Sequence, residues 1–142
     1  MRVFLDANVM FSAAKSDGAI RYLLRRLLRA GHVLCADGYV VEEARRNLAR
    51  KGPDAVATLE GLLASIEVGE FRPARLPEAV AIRIDEKDRP VLAAAVRMGC
   101  EALVTGDKTH FGALYGQVLL GVRIESPRSL FEGLVRTADA HG

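Results

Sequence analysis

Tryptophan is absent from the chain, and aromatic residues make up only 6% of its 142 positions. Single strands of nucleic acid are commonly held on stacked aromatic side chains. No such platform is visible, so recognition of that kind has to rely on backbone charge and shape. Cysteine is nearly absent too. Cys35 and Cys100 are the only two, with no C-x-x-C spacing, which removes a zinc-ribbon reading. Two buried free thiols in a reducing cytoplasm are expected instead. No apolar run approaches the roughly 20 residues that span a bilayer. Asp6 and Asn8 interrupt any signal-peptide core at the N-terminus, so a cytoplasmic protein without membrane association is expected. Charge of one sign is also lacking. The net charge is +2, so only the local distribution of charge can point to a polyanionic partner.

Half of the residues are hydrophobic and 27% are charged, a balance that suits one globular domain over residues 1–142. The pattern alternates strand and helix. Residues 2–5 form a short buried strand, and 19–30 carry a leucine stripe at helical spacing that Gly31 ends. A strand over 32–36 follows, then helices over 39–51 and 53–64 and an edge strand over 65–68. Residues 69–85 hold Pro73 and Pro77 and read as a loop with one helical turn. Asp88-Arg89-Pro90 resembles a helix N-cap with proline in the first turn, and Gly99 ends that helix. Strands over 102–105 and 122–125 and a helix over about 127–137 complete the chain, with about 137–142 as a frayed tail. Strands alternating with helices imply a three-layer α/β/α sandwich around a parallel sheet of four to five strands.

Four acidic positions fall at the ends of these elements. Asp6 follows the first apolar strand, and Asp107 follows the strand at 102–105 through Gly106. Glu42 and Glu43 lie early in the 39–51 helix, and Asp88 opens the later helix that Gly99 ends. Each alone has a plain structural reading as a cap, a turn residue or a surface charge. Together they differ, because the carboxyl ends of parallel strands open onto one crevice. Carboxylates gathered there repel unless a cation or a shared proton intervenes. An all-oxygen donor set suits Mg²⁺ or Mn²⁺. The pattern points to metal-dependent chemistry on phosphodiesters.

These residues resemble the PIN domain family. The similarity is carried by Leu5-Asp6-Ala7-Asn8-Val9, by Glu43 with Leu48, by Lys87-Asp88-Arg89-Pro90-Val91-Leu92 with Ala95, and by Leu103-Val104-Thr105-Gly106-Asp107-Lys108-Thr109-His110-Phe111. It spans residues 2 to about 127. It implies a three-layer nuclease that binds Mg²⁺ or Mn²⁺ through Asp6, Glu43, Asp88 and Asp107, with Glu42 as the substitute should helix phase turn Glu43 away. It implies supporting roles for Asn8 beside Asp6 and for Thr105 at the strand end. Many members are VapC-type toxins of toxin–antitoxin pairs that cleave RNA, so an RNA substrate, an antitoxin partner and a homodimer are expectations of the same kind. Thr109 departs from the family, since many members carry a second Asp there. That departure sustains an alternative, a degenerate PIN-like module that binds RNA or a protein partner without cleaving.

His110 stands beside Asp107 and is able to touch a phosphate or act as a local acid, although a backbone-bonded histidine at a helix start is the plainer reading. His32 reads as a strand-edge residue and His141 as tail. Arg21, Arg25 and Arg29 recur at helical spacing opposite the leucines, and Arg45, Arg46, Arg50 and Lys51 form a second basic group. Both suit solvated faces. They also suit phosphate contacts, which supply most non-specific affinity for nucleic acid; Arg21, Arg25, Arg29 and Arg46 are the candidates. Other doubly wound functions lack their motifs. Gly106-Asp107-Lys108-Thr109 is half of a phosphate-binding loop at most, and the turn after the first strand has no G-x-G-x-x-G.

Overall fold

The computed structural model describes residues 1–141, with side-chain environments through 138. Its centre is a six-stranded sheet: β1 (Arg2–Leu5), β2 (Val33–Asp37), β3 (Ile66–Gly69), β4 (Ala102–Val104), β5 (Val118–Leu119) and β6 (Val122–Glu125). The spatial order is β3-β2-β1-β4-β6-β5. Five strands are parallel, and β5 pairs antiparallel with β6. The expected four to five strands thus become six. A two-residue strand presents no alternation to read, and β5 exists because Leu120 and Gly121, both at positive φ, make a tight hairpin turn.

The central strands read as unbroken apolar runs because both faces are covered. Val3, Phe4, Leu5, Cys35, Ala36, Leu103, Val104 and Ile124 are all fully buried. The flanking helices are α1 (Ala7–Lys15), α2 (Ala19–Arg29), α3 (Gly38–Lys51), α4 (Val56–Leu63), α5 (Glu78–Ala81), α6 (Arg89–Arg97), α7 (Lys108–Phe111) and α8 (Pro127–His141). They complete the α/β/α layering. Gly31 and Gly99, at φ +85° and +67°, lie just past the ends of α2 and α6, where a left-handed residue closes a helix. α8 continues to His141 rather than ending near 137; the His141 side chain and Gly142 lie outside the described residues. Both cysteines are buried and free. Among the described residues no helix is long and apolar enough to cross a membrane.

The chain runs from β1 outward through β2 to β3, then returns to place β4 on the other side of β1. Such a reversal opens a crevice at the carboxyl ends of the two strands. Leu5 is in register with Val104, so the residues that follow β1 and β4 leave the sheet side by side.

The last residue of β2, Asp37, was not singled out by its sequence context, yet it is fully buried. It caps α3 by accepting from the Val40 amide (3.3 Å) and pairs with Arg97 of α6 at 3.4 Å. Burial raises its pKa, and the Val40 bond and Arg97 oppose that rise. Asp37→Ala removes the cap and leaves Arg97 without its carboxylate. A loss of about 2 kcal/mol in urea unfolding is expected, with Asp37→Asn costing less because its amide oxygen still caps.

Candidate metal centre

Asp6 stands at the junction of β1 and α1. Its Oδ1 accepts from the Ala7 amide at 2.8 Å, capping α1. Its Oδ2 accepts from the Thr105 hydroxyl at 2.8 Å and from the Asn8 amide group at 3.3 Å. Asn8 reaches across to β4, where its Oδ1 accepts from the Gly106 amide at 2.8 Å. The approach is close: a Cβ on Gly106 would lie 3.4 Å from that oxygen. The Thr105 hydroxyl also accepts from the Asp107 amide at 3.2 Å. Tyr115 donates to the Thr105 carbonyl at 2.7 Å. Asn8 and Thr105 therefore tie the two strand ends together around one carboxylate.

Asp107 caps α7 by accepting from the His110 amide at 3.2 Å, and the fully buried Phe111 anchors that short helix. Glu43 lies in the second turn of α3, because the helix begins at Gly38 rather than next to the acids. The macrodipole therefore does not account for Glu43. Helix phase also separates the neighbouring acids: Glu43 is half-buried and faces the cleft, while Glu42 is exposed and does not.

Asp88 departs from the expected N-cap. Its side chain makes no capping bond to α6; Asp85 caps the preceding turn by accepting from the Lys87 amide at 3.2 Å. That turn, Glu86–Asp88, is held against α3 by the Tyr39 hydroxyl, which donates to the Lys87 carbonyl at 3.0 Å. Arg89 pins the loop before it through the carbonyls of Ala81 and Ile84 at 2.9 and 3.2 Å. Asp88 is left only 7% exposed with its carboxyl turned toward α7.

Asp6, Glu43, Asp88 and Asp107 line one cleft of about 310 Å³, together with Asn8, Asn47, Lys87 and Gly106. Asn47 is one helical turn beyond Glu43, and that spacing was the available signal for it. Asp6 is 5% exposed. Burial pushes its pKa up to about 6; the Thr105 and Ala7 bonds oppose this, and the charges of Asp88 and Glu43 add to it. Burial likewise raises the pKa of Asp88, with His110 opposing and Asp107 reinforcing. An arrangement that works against its own ionisation is short of positive charge. All four quartet residues offer oxygen, and the Asp88 Oδ2 is buried without a hydrogen-bond partner. Those features fit a hard divalent cation.

His110 is not a simple backbone-bonded residue. Besides its amide bond to Asp107, its ring Nδ1 lies 2.8 Å from Asp88 Oδ2 and 3.0 Å from Asp107 Oδ2, and its Nε2 lies 3.9 Å from Asp85 Oδ2. Thr109 is exposed on α7 and does not line the cleft. Asp85 and Lys87 carried no periodic signal that would bring them here.

The arginine stripe of α2 lies outside the cleft. Arg21 donates to the Ala13 and Ala14 carbonyls at 2.7 and 3.1 Å, closing the C-terminal end of α1, and is mostly buried. Arg25 pairs with Asp17 at 3.4 Å. Arg21 and Arg25 thus have partners within the protein, and Arg29 is exposed and does not line the cleft. Arg46 is different. It is exposed on α3, adjacent in sequence to Asn47 and three residues from Glu43, both of which line the cleft.

Known proteins share this fold. The PIN domain family model matches residues 2–109. Among solved structures, VapBC2 from Rickettsia felis, bound to a DNA fragment from its promoter, superposes with a TM-score of 0.67 at 17% identity, covering 89% of this chain and 98% of that one. DNA-bound VapBC from Salmonella typhimurium gives 0.61 at 19%, with 89% and 98% covered. VapC20 from Mycobacterium tuberculosis, a toxin that cleaves the sarcin–ricin loop, gives 0.55 at 19%, with 78% and 94% covered. No curated protein matches.

Proposed function

The chain belongs to the PIN domain family, and from that premise we propose that it is a Mg²⁺- or Mn²⁺-dependent endoribonuclease that acts as the toxin of a toxin–antitoxin pair. One observation carries the reading. Four acids from four separate elements line a single cleft, and the most buried of them has its pKa raised to about 6, by burial first and then by the charges of Asp88 and Glu43. Asp6, Glu43, Asp88 and Asp107 would hold the cation. When bound, it lowers the pKa of a water and offsets charge on the scissile phosphate. Asn8 and Thr105 keep Asp6 in one orientation. Asn47 and Lys87 present hydrogen-bond donors to the phosphate from the same cleft, and Arg46 extends the positive surface along α3.

Two of the similar structures are VapBC assemblies, which supports an antitoxin partner; a homodimer belongs to the same proposal. The test uses purified chain free of any partner with a panel of structured and single-stranded RNAs. Cutting that requires added Mg²⁺ or Mn²⁺ and stops with EDTA is expected. Folded protein that cuts none of them favours a non-catalytic module.

The same assay format separates the basic residues. Lys87→Ala should weaken RNA binding and reduce the slope of log affinity against log salt by about 1, as one lost phosphate contact does. Arg21→Ala should leave that slope unchanged and lower thermal stability instead, because its donors serve the end of α1.

A further inference from the structure

Asp88 also belongs to a second group of donors that the acidic quartet does not use. One carboxylate oxygen each from Asp85 and Asp88 and one ring nitrogen of His110 lie within 4.8 Å of one another. Asp88 Oδ2 and His110 Nδ1 are both buried and neither makes a hydrogen bond, although they are 2.8 Å apart. A buried carboxylate oxygen with no partner is costly. An imidazolium that merely neutralised Asp88 would aim its N–H at that oxygen, and this ring does not. Two ligands placed cis on an octahedral ion, each about 2.1 Å from it, lie about 3.0 Å apart. The separation of Oδ2 and Nδ1 is close to that of two ligands on one ion.

We infer that Asp85, Asp88 and His110 form a second cation site, distinct from the acidic quartet but sharing Asp88 with it, that accepts first-row transition ions and not Mg²⁺. The selectivity comes from the nitrogen. Imidazole suits borderline transition ions, whereas Mg²⁺ demands oxygen and sheds its waters reluctantly. Asp85 is exposed and opens the site to solvent, so an ion can enter without unfolding the loop. Asp107 Oδ2, 3.0 Å from Nδ1, is the neighbouring acid from the quartet. The inference rests on the proposed nuclease reading only through the shared Asp88.

The test titrates metal-free full-length chain with Mn²⁺ and, separately, with Mg²⁺, counting bound ions by calorimetry and by electron paramagnetic resonance. Two Mn²⁺ and one Mg²⁺ per chain are expected, with a pulsed-resonance nitrogen coupling from an imidazole on one Mn²⁺. His110→Ala should reduce the count to one Mn²⁺ and abolish the nitrogen coupling. Asp85→Asn, which retains the cap on Lys87, should weaken the second Mn²⁺ by roughly 10-fold or more. Circular dichroism confirms that each variant is folded. A single Mn²⁺ that Asp6→Asn removes and His110→Ala leaves unchanged overturns this inference while the nuclease reading stands. Two Mn²⁺ with the nitrogen coupling, in a chain that cleaves no RNA, upholds the inference and overturns the nuclease reading.

Discussion

Asp6→Asn is expected to remove roughly 100-fold or more of the metal-dependent RNA cleavage, since losing a contact that merely orients a metal ligand already costs 10–100-fold. Asp88→Asn should do the same. Both carboxyls are buried in the cleft, and both are raised in pKa by burial and by other acids. Neither substitution changes the size of its side chain. The asparagine at position 6 still has an oxygen for the Ala7 amide, so α1 keeps its cap. The lost quantity is charge toward the cation. Glu42→Gln is the matched control: it sits one residue from Glu43 but is exposed and off the cleft, and its cleavage rate should equal wild type. Single-turnover rates at saturating protein check all three. Cutting that persists in Asp6→Asn at the wild-type rate would mean that a different site, or a contaminating nuclease, does the work.

The second large effect is on stability, and its sign reverses with metal. Asp6 titrates at about 6 in the folded chain against an ordinary value of 3.8. A carboxyl raised in this way favours the folded state in its protonated form. Its contribution is intact below pH 3.8 and is lost as pH rises through about 6. A shift of about two pKa units corresponds to about 3 kcal/mol of destabilisation at neutral pH. In EDTA at pH 7, Asp6→Asn should therefore be more stable than wild type by up to about that amount, less whatever the weaker bond to Thr105 costs. At pH 4 most of the difference should be gone. Other groups titrate in both proteins, so the difference between the two urea curves isolates Asp6. Adding Mg²⁺, which binds only the acidic quartet, should reverse the order at pH 7 once it reaches about 1,000 times its Kd. A ligand at that level stabilises by about 4.1 kcal/mol, and only the chain with an intact quartet gains it. Equal stabilisation of both proteins would place the ion elsewhere.

Much of this site could be read along the chain. Apolar runs that end in Asp6 and, through Thr105-Gly106, in Asp107 mark two strands whose carboxyl ends carry acids, and parallel pairing of β1 with β4 brings those ends together at one cleft. What was not legible depends on contacts between distant segments. α1 is nine residues long and buried at Ala7, Val9, Met10, Ala13 and Ala14, so it has no polar stripe to reveal its period. Asp88 satisfies the sequence rule for an N-cap, but the chain enters α6 through a tighter turn that Asp85 caps, and this frees Asp88 for the cleft. The arginines of α2 have regular spacing, yet the end of α1 and Asp17 satisfy Arg21 and Arg25. His110 lies 22 residues from Asp88 in sequence, and only the packing of the Glu86–Asp88 turn beside α7 makes them neighbours.

The central claim is that Asp6, Glu43, Asp88 and Asp107 hold one divalent ion in common. Crystals grown metal-free and soaked in Mn²⁺ test it directly through anomalous scattering. The account predicts a Mn²⁺ peak in the cleft within coordination distance of Asp6 and Asp88 carboxylate oxygens, absent from Asp6→Asn crystals treated identically. A cleft without a peak at a Mn²⁺ concentration that supports RNA cleavage would contradict it.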